Sequence, residues 1–273
     1  MENKKFNPII EIDNIVSDIK RYFIENGNAD TKAIIGISGG KDSSIAAALL
    51  VKALGSDKVI GVLMPNGEQK DLNDAREVCD LLGIDSITIN IKYTTASFIE
   101  DIERNTTFIP NERVYTNMPA RVRMTTLYNI AAMVGGRVIN TGNRSERYVG
   151  YTTKYGDLAG DYALLADYYV REIYEIGDNL FWDNDGTPML PANFIHKAPA
   201  DGMSGKTDEE SMGFTYEELD NYLIDGIVPN VEVLRAIEER HKNNQHKDII
   251  RMPCPRARTR TYRHGGVYEN LSF

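Results

Sequence analysis

Residues 33–54 read AIIGISGGKDSSIAAALLVKAL, and their pattern sets the fold class of the chain. The apolar run Ala33–Ile37 predicts a short buried strand, and the run Ser43–Leu54 predicts an apolar helix. Gly39 and Gly40 lie between them, where glycine allows a tight turn. A buried strand that turns at once into a buried helix is typical of α/β proteins with a parallel sheet.

The turn itself, GISGGKDSS at Gly36–Ser44, has the composition of a phosphate-binding loop. Its glycines leave backbone N–H groups accessible to an anion, and Ser43 and Ser44 stand at a helix start, where the dipole favours phosphate. Asp42 would repel a bare phosphate and therefore indicates a bound cation. The GxxxxGK[ST] spacing of a Walker A loop is absent. The alternative interpretation is a plain strand-to-helix turn capped by Asp or Ser.

Strands and helices alternate on both sides of this loop. The spacing of apolar residues predicts helices at Glu11–Glu25, Asp71–Leu82 and Met118–Val134, and strands at Val59–Met64, Ile84–Ile91 and Arg137–Thr141. Strands separated by helices require right-handed crossovers, so the expected fold class is α/β, a parallel sheet flanked by helices on both faces. No linker composition divides the chain, and residues 1–273 are expected to form a single domain.

The alternation ends beyond residue 181. Residues 197–212 are polar, contain glycine and are long for a structureless loop, which is typical either of a mobile lid over an active site or of disorder, and we expect a lid. Two further helices are predicted near Thr215–Leu223 and Val231–Asn243. Residues 246–273 form a basic C-terminal arm, with six basic residues and one acid between positions 246 and 264. The arm is either a docking or anion-binding segment or a solvated tail, and the sequence leaves both open.

The chain as a whole is acidic, with 40 Asp and Glu against 31 Lys and Arg and a net charge of −9. This balance disfavours a nucleic-acid binder, whose affinity comes from neutralising phosphates.

The longest apolar run, Ile45–Val51, is far shorter than a membrane span, and no signal-like segment opens the chain. Two cysteines, Cys79 and Cys254, are too few for a disulfide framework. We therefore expect a cytoplasmic protein without nucleic-acid or membrane partners.

The loop at 36–44 resembles the pyrophosphate-binding loop of the N-type ATP pyrophosphatases, which transfer AMP to a substrate oxygen and release pyrophosphate. Three further stretches are similar to NAD synthetases: ARVRMTTLYNIAAM at 120–133, NTGNRSERYVGYTTKYGDLAGD at 140–161, and the Lys-Ala-Pro lid followed by NQHK at 244–247. The resemblance to the NAD synthetase family runs from about residue 9 to 255. It implies a Rossmann-like fold of the adenine nucleotide alpha-hydrolase type.

This resemblance implies three groups of site residues. ATP would contact the loop and two residues near strand ends, namely Gly36, Ile37, Ser38, Gly39, Gly40, Lys41, Asp42, Ser43, Gln69 and Thr141. Mg²⁺ would be held by Asp42 and Glu146, although an acid in the first turn of a helix is the alternative for Glu146. Nicotinic acid adenine dinucleotide (deamido-NAD) would contact Arg121, Lys154, Asp161, His246 and Lys247. No side-chain nucleophile is expected.

The reaction that the resemblance implies uses ATP as co-substrate. The nicotinate carboxylate attacks the α-phosphorus of ATP, and ammonia then displaces AMP to give NAD. Because glutamine-dependent members carry an additional N-terminal amidase domain, we expect free ammonia, with a separate glutaminase partner left open.

The resemblance also implies a homodimer. The predicted helix at 118–134 is apolar over most of its circumference, which fits burial either by its own sheet or by a partner copy.

Three positions depart from the family pattern. Leu63 stands where members commonly carry Arg, Val170 where a lysine is expected at ATP phosphate, and Ala200 where the lid usually has a hydroxyl. Candidates to replace that hydroxyl are Lys197, Ser204, Lys206 and Thr207. Val170 and Ala200 keep open the alternative of an ATP-binding module without catalysis. A second alternative is another N-type pyrophosphatase, of the tRNA-modifying kind, which the net charge of −9 and the two non-motif cysteines disfavour.

Overall fold

The computed structural model describes residues 6–69, 71–182, 186–197, 207–247 and 252–259. The expected lid at 197–212 and the basic arm at 246–273 therefore lie partly outside the described residues. Ala200, Ser204 and Lys206 lie outside them as well.

The described strands form one five-stranded sheet in the order β3-β2-β1-β4-β5. Their bounds are β1 Ala33–Gly36, β2 Val59–Leu63, β3 Asp85–Thr88, β4 Arg137–Asn140 and β5 Tyr162–Ala163. Every pairing is parallel, and Ile34 of the central strand lies opposite Ile60 on one side and Val138 on the other. The predicted Rossmann-like parallel sheet is confirmed.

The described helices are α1 Pro8–Glu25, α2 Lys41–Leu54, α3 Leu72–Leu82, α4 Lys92–Asn105, α5 Glu112–Val134, α6 Arg144–Val149, α7 Val170–Asp178, α8 Ala192–Ile195, α9 Asp208–Met212, α10 Tyr216–Asp220 and α11 Val231–Asn244. Side chains alternate across a strand, and the two sides of β1 enter different cores. Ile35 is buried in one cluster with Ile15 of α1 and Leu49 of α2, whereas Ile34 is buried in another with Ile130 of α5. Helices thus cover both faces of the sheet. Among the described residues, no helix is both long and apolar enough to cross a membrane.

The structure differs from the sequence-based expectation along the edge of the sheet. β3 is shorter than the predicted Ile84–Ile91, and its four residues are all exposed because it is an edge strand. The two isoleucines that bounded the prediction are buried at its flanks. α4 was not predicted, since it buries only Thr95 and Ile99 and so carries a narrow apolar stripe. α5 begins at Glu112 instead of Met118, about one and two-thirds turns earlier.

Part of the basic arm packs against the body of the protein. The buried carboxylate of Glu11 on α1 accepts hydrogen bonds from the backbone N–H groups of Arg258 and Thr259, at 2.8 and 2.5 Å. Asn14 Nδ2 donates to the carbonyl of Arg256 at 2.6 Å, and Ala163 N, on the edge strand β5, donates to the carbonyl of Pro253 at 2.9 Å. Residues 252–259 therefore line α1 and extend the hydrogen bonding of the sheet edge.

Candidate active site

A cleft of about 1190 Å³ opens at the carboxyl edge of the sheet. The central strand β1 lies between β2 and β4. From β1 the chain runs to β2 and β3 on one side and then crosses to β4 and β5 on the other. Open α/β sheets bind ligands at such a switch point in strand order. Segments that follow three strands line the cleft, with Ser38 after β1, Gln69 after β2 and Thr141 after β4. The structure thus brings these three residues, expected at ATP, to one cavity.

The phosphate loop is a turn that only glycine can make at one position. Gly39 has a φ of +79°, and a Cβ there would lie 2.8 Å from the backbone oxygen of Asp71. Across the turn, Ser38 N donates to Ser43 Oγ at 3.2 Å, and the two hydroxyls are 3.1 Å apart. All loop residues expected at ATP line the cleft except Gly39, which packs against the start of α3.

The first turn of α2 leaves its N–H groups available to a ligand. Gly40 is the N-cap, and no described side chain caps the helix there. The hydroxyls of Ser43 and Ser44 donate back to the Gly40 carbonyl, at 3.1 and 2.8 Å, and so leave the amides uncapped. The alternative of a turn capped by Asp or Ser is therefore not the observed geometry. An uncapped fourteen-residue helix that starts in a cleft is suited to phosphate.

Lys41 and Asp42 form a buried ion pair in the cleft. Lys41 Nζ lies 2.7 Å from Asp42 Oδ2, and only 2% of the lysine side chain is exposed. Burial alone opposes the charge, but the nearby carboxylates of Asp42 and Glu146 outweigh it and raise the pKa of Lys41. Lysine therefore carries its charge in this cleft at neutral pH.

Glu146 has the capping role that the sequence offered as an alternative, and it also lines the cleft where a metal ligand is expected. Asn143 and Glu146 form a capping box at the start of α6, in which Asn143 N donates to Glu146 Oε2 at 3.0 Å. The same side chain lines the cleft. Burial and the neighbouring charge of Asp42 raise the pKa of Glu146 well above its ordinary value, although Lys41 opposes the shift. A cation bound nearby would stabilise the ionised form of a carboxylate that is buried beside another negative charge.

Asp42 and Glu146 fit a magnesium ion that is shared with phosphate. Asp42 Oδ1 is buried and has no hydrogen-bond partner among the described residues. No group of three or more His, Cys, Asp or Glu suited to a metal occurs in the described part of the chain. Mg²⁺ is commonly held by one or two carboxylates together with substrate phosphates and water, so two hard oxygen donors beside a phosphate loop suffice.

Three residues of the cleft region were not predicted from the sequence. Tyr174 on α7 and Tyr216 on α10 place their rings 5.6 and 5.5 Å from Lys41 Nζ. Asp208, the first residue of α9, lines the cleft, and its Oδ2 accepts from Tyr216 Oη at 3.2 Å. The signal for Asp208 is the Thr-Asp-Glu-Glu capping box at 207–210, which falls inside the segment 197–212 expected to be the lid.

A second group of cations lines the cleft near α5 and α11. Lys247 Nζ donates to the carbonyls of Gly150 and Thr152 at 2.6 and 2.5 Å. Lys154 Nζ donates to the carbonyl of His246 at 2.9 Å, and Arg121 Nε donates to the carbonyl of Lys154 at 3.4 Å. The four residues expected at the dinucleotide, apart from Asp161, are thus brought together.

Lys247 is partly desolvated and lies among other charged side chains at this end of the cleft. Burial, together with the cations Arg113 and Arg240, lowers the pKa of Lys247, while Asp157 opposes the shift. Both arginines line the same cleft. A desolvated lysine among cations is stabilised by an added anion, so this end of the cleft is suited to a second phosphate group.

Asp161 does not line the cleft with the other candidates. Its Oδ2 accepts from Val138 N in β4 at 2.8 Å, and its carbonyl accepts from Tyr22 Oη at 3.1 Å. A hydrogen bond to Asp161, after burial, is one reason why the pKa of Tyr128 rises to about 12. In this chain Asp161 therefore joins the sheet to α1 and α5.

The departures from the family pattern have physical counterparts. Val170 is buried in an apolar cluster with Val149, Met212 and Ile237, which leaves no place for a lysine. Lys197, one candidate for the lost lid hydroxyl, contacts Asp71 Oδ1 and Asp74 Oδ2, each at 2.6 Å. These acids flank the start of α3, beside Gly39 of the phosphate loop.

The fold and the cleft define a nucleotide-binding α/β enzyme that handles phosphate groups. The family model described as NAD synthase matches residues 11–252. The NH₃-dependent NAD⁺ synthetase of Pyrococcus horikoshii is 36% identical over 253 residues, which cover 88% of this chain and 93% of that protein. The chain belongs to the NAD synthase family, whose members are ligases that use ATP to form NAD.

Solved structures agree with this assignment. The NMN synthetase of Francisella tularensis superposes with a TM-score of 0.80 and 31% identity, over 91% of this chain and 98% of that one. The NH₃-dependent NAD synthetase of Campylobacter jejuni, solved in complex with nitrate, superposes with a TM-score of 0.69 and 26% identity over the same shares.

Proposed function

We propose that this chain amidates deamido-NAD with free ammonia, with ATP and Mg²⁺, in the cleft at the carboxyl edge of the sheet. One observation carries the assignment of the site. A phosphate loop and a separate group of cations around Lys247 line a single cleft. ATP and a dinucleotide are both phosphate-bearing substrates, so a reaction between them requires two anion sites in one cavity.

The phosphate loop binds and orients ATP in this proposal. Loop residues at 36–43 and the first-turn amides of α2 receive the phosphates, while Gln69 and Thr141 contribute from the neighbouring strand ends. Asp42 and Glu146 hold Mg²⁺, which would offset charge on the pyrophosphate as it leaves. No covalent link to the protein is needed, because positioning and electrostatics supply the catalysis.

The cationic end of the cleft binds the dinucleotide in this proposal. Arg121, Lys154, His246 and Lys247 receive its pyrophosphate, which directs the nicotinate carboxylate toward the α-phosphorus of ATP. The carboxylate oxygen bonds to the α-phosphorus and pyrophosphate leaves. Ammonia then attacks the acyl carbon, the carbon–oxygen bond breaks, and that oxygen departs with AMP.

A second candidate substrate comes from the similarity to an NMN synthetase. Nicotinic acid mononucleotide carries the same reacting carboxylate but only one phosphate. It would leave much of the cationic group around Lys247 without a partner, so we favour the dinucleotide. A comparison of kcat/KM for the two substrates, each with ammonium and with glutamine, decides both the substrate and the nitrogen source.

An oxygen label tests the chemistry. With ¹⁸O in the nicotinate carboxylate, AMP should carry one ¹⁸O, because the carboxylate oxygen stays on phosphorus when ammonia displaces AMP. Asp42→Asn and Glu146→Gln should each lower kcat at least about 100-fold, the usual loss for a charge partner of the reacting phosphates. Asp30→Asn, on the surface before β1, is the matched control. Unlabelled AMP, or ADP as product, would contradict the proposal.

We also propose a homodimer through α4 and α5. Only four of the 23 residues of α5 are buried, although the helix is rich in apolar residues. Large apolar side chains on this side of the molecule stay exposed, among them Tyr93, Phe98, Phe108, Ile109, Tyr115 and Met133. Many exposed large apolar side chains on neighbouring elements are typical of an interface, and C2 symmetry is the default for homo-oligomers. Sedimentation at assay concentration tests it, and an active species of 30.7 kDa would refute it.

A further inference from the structure

Lys41 is held in the cleft by groups from three helices. Its Nζ bonds to Asp42 Oδ2 of α2 at 2.7 Å. The same atom stands over the ring of Tyr174 on α7 and the ring of Tyr216 on α10, so two aromatic faces add to the attraction. A lysine is rarely buried to this extent without a counter-ion. Asp42, a proposed metal ligand, serves as that counter-ion.

The ammonium of Lys41 therefore competes with a metal ion for Asp42. One carboxylate oxygen, Oδ2, is bonded to the ammonium, and only Oδ1 has no hydrogen-bond partner among the described residues. A divalent cation on Oδ1 would lie close to the ammonium of Lys41, whose side chain is only 2% exposed. Like charges repel strongly in such an environment, so the bare cleft disfavours the metal ion.

Phosphate removes this conflict. Lys41 is the first residue of α2 and lines the cleft beside the uncapped first turn of that helix. Its side chain is a flexible four-carbon stem with three donors, which reaches a nearby phosphate oxygen by rotation. A phosphate between the ammonium and the metal ion attracts both. The same nucleotide thus gives Lys41 a new partner and frees Asp42.

We propose that Lys41 makes binding of the divalent cation conditional on the nucleotide: it holds Asp42 while ATP is absent and moves to a phosphate oxygen when ATP binds. The inference rests on the proposed roles of Asp42 and Glu146. It adds a reason why a lysine stands inside a loop that must also carry a metal ligand. Linkage requires the coupling to be reciprocal, so the metal ion tightens nucleotide binding by the same factor.

The substitution Lys41→Gln separates this role from a structural one, because it should change two affinities in opposite directions. Mn²⁺ binding without nucleotide, followed by electron paramagnetic resonance, should become about tenfold tighter, since the competing charge is gone. Binding of α,β-methylene-ATP without divalent ions, followed by calorimetry, should become about tenfold weaker, since a phosphate partner is lost. Lys41→Arg keeps the charge, so its affinities for Mn²⁺ and for α,β-methylene-ATP should both stay close to those of the wild type. Lys58→Gln, outside the cleft, is the matched control.

General damage to the site would weaken both ligands, and that result would overturn the inference, as would unchanged affinities. If Lys41→Gln does not fold, the wild-type protein alone decides: equally tight Mn²⁺ binding with and without the methylene analogue overturns it. Asp42→Asn separates the two proposals. If Asp42→Asn keeps Mn²⁺ binding, the proposed metal site is wrong. If it loses Mn²⁺ while Lys41→Gln gains nothing, only the role of Lys41 is wrong.

Discussion

Glu11 Oε1 accepts hydrogen bonds from both the backbone N–H and the hydroxyl of Thr259, at 2.5 and 2.6 Å, across 248 residues of sequence. Its second oxygen, Oε2, accepts from Tyr168 Oη at 3.1 Å and from Asn14 Nδ2 at 3.3 Å. The carboxylate is fully buried, and it also accepts from Arg258 N at 2.8 Å, so hydrogen bonds replace the water that burial removes. Glu11 therefore joins α1, the segment before α7 and the basic arm.

Removing this acceptor should cost stability far from the cleft. Glu11→Ala leaves several buried donors without a partner, each worth about 1 to 3 kcal/mol, and should lower the free energy of unfolding by about 3 kcal/mol. Urea denaturation measures the loss. Glu25→Ala, an exposed acid on the same helix, should change stability by less than about 0.5 kcal/mol. Equal effects of the two substitutions would contradict the structural role of Glu11.

The phosphate loop offers a second test with a matched pair of glycines. Gly39 and Gly186 have nearly equal φ values, +79° and +82°, so alanine pays the same backbone strain at both. Only at Gly39 does the new Cβ collide, since Asp71 O is 2.8 Å away, whereas at Gly186 no atom of the described residues lies within 4 Å. Gly39→Ala should therefore destabilise by about 1 to 3 kcal/mol more than Gly186→Ala. It should also raise the KM for ATP, while Gly186→Ala leaves it unchanged.

Elements with one dominant physical cause could be predicted from the sequence. The strand Ala33–Gly36 and helix α2 are apolar runs bounded by glycine, and the structure has them almost as predicted. Edge elements could not be predicted as well. β3 is fully exposed and α4 buries two residues, so neither has the strong apolar periodicity that a prediction uses.

Contacts between distant segments could not be predicted from the sequence, for a different reason. Lys41 meets Tyr174 and Tyr216 only after three helices pack around the cleft, and no local pattern reports that contact. Asp161 lies in a stretch that resembles the family, yet its carboxylate bonds to a strand backbone in this chain. A motif identifies residue types near a site, whereas burial and hydrogen bonding decide which of them face it.

Lys247 provides a test of the cationic end of the cleft. Lys247→Met keeps the length and apolar stem of the side chain and removes its charge. We expect a KM for deamido-NAD about tenfold higher and a nearly unchanged KM for ATP, because one charge-assisted contact is lost at the dinucleotide end only. Lys242→Met, on the exposed face of α11, is the control. A larger increase in the KM for ATP than in the KM for deamido-NAD would mean that Lys247 contacts ATP, which would contradict the proposal. Truncation of the whole arm is a poorer test, since it also removes the partners of Glu11.

Asp220 predicts a pH dependence of stability. Burial raises its pKa to about 6, although Ser145 Oγ and Arg171 N donate to the carboxylate at 2.5 and 2.8 Å and oppose the shift. The folded protein therefore binds more protons at this residue than the unfolded chain between pH 3.8 and about 6. Stability contributed by Asp220 is present below pH 3.8 and is lost as the pH rises through this window, by about 3 kcal/mol in total.

Asp220→Asn removes the titrating group and should remove this slope. Relative to wild type, the variant should gain about 3 kcal/mol in unfolding free energy between pH 3.5 and 7, whatever its stability at the acid end. Urea unfolding at several pH values gives both profiles, and Asp30→Asn controls for an exposed carboxylate. Parallel profiles for wild type and Asp220→Asn would mean that Asp220 has the same pKa in the folded protein as in the unfolded chain. In that case the bonds from Ser145 on α6 and Arg171 on α7 would balance the effect of burial, and the carboxylate at this junction would be ionised at neutral pH.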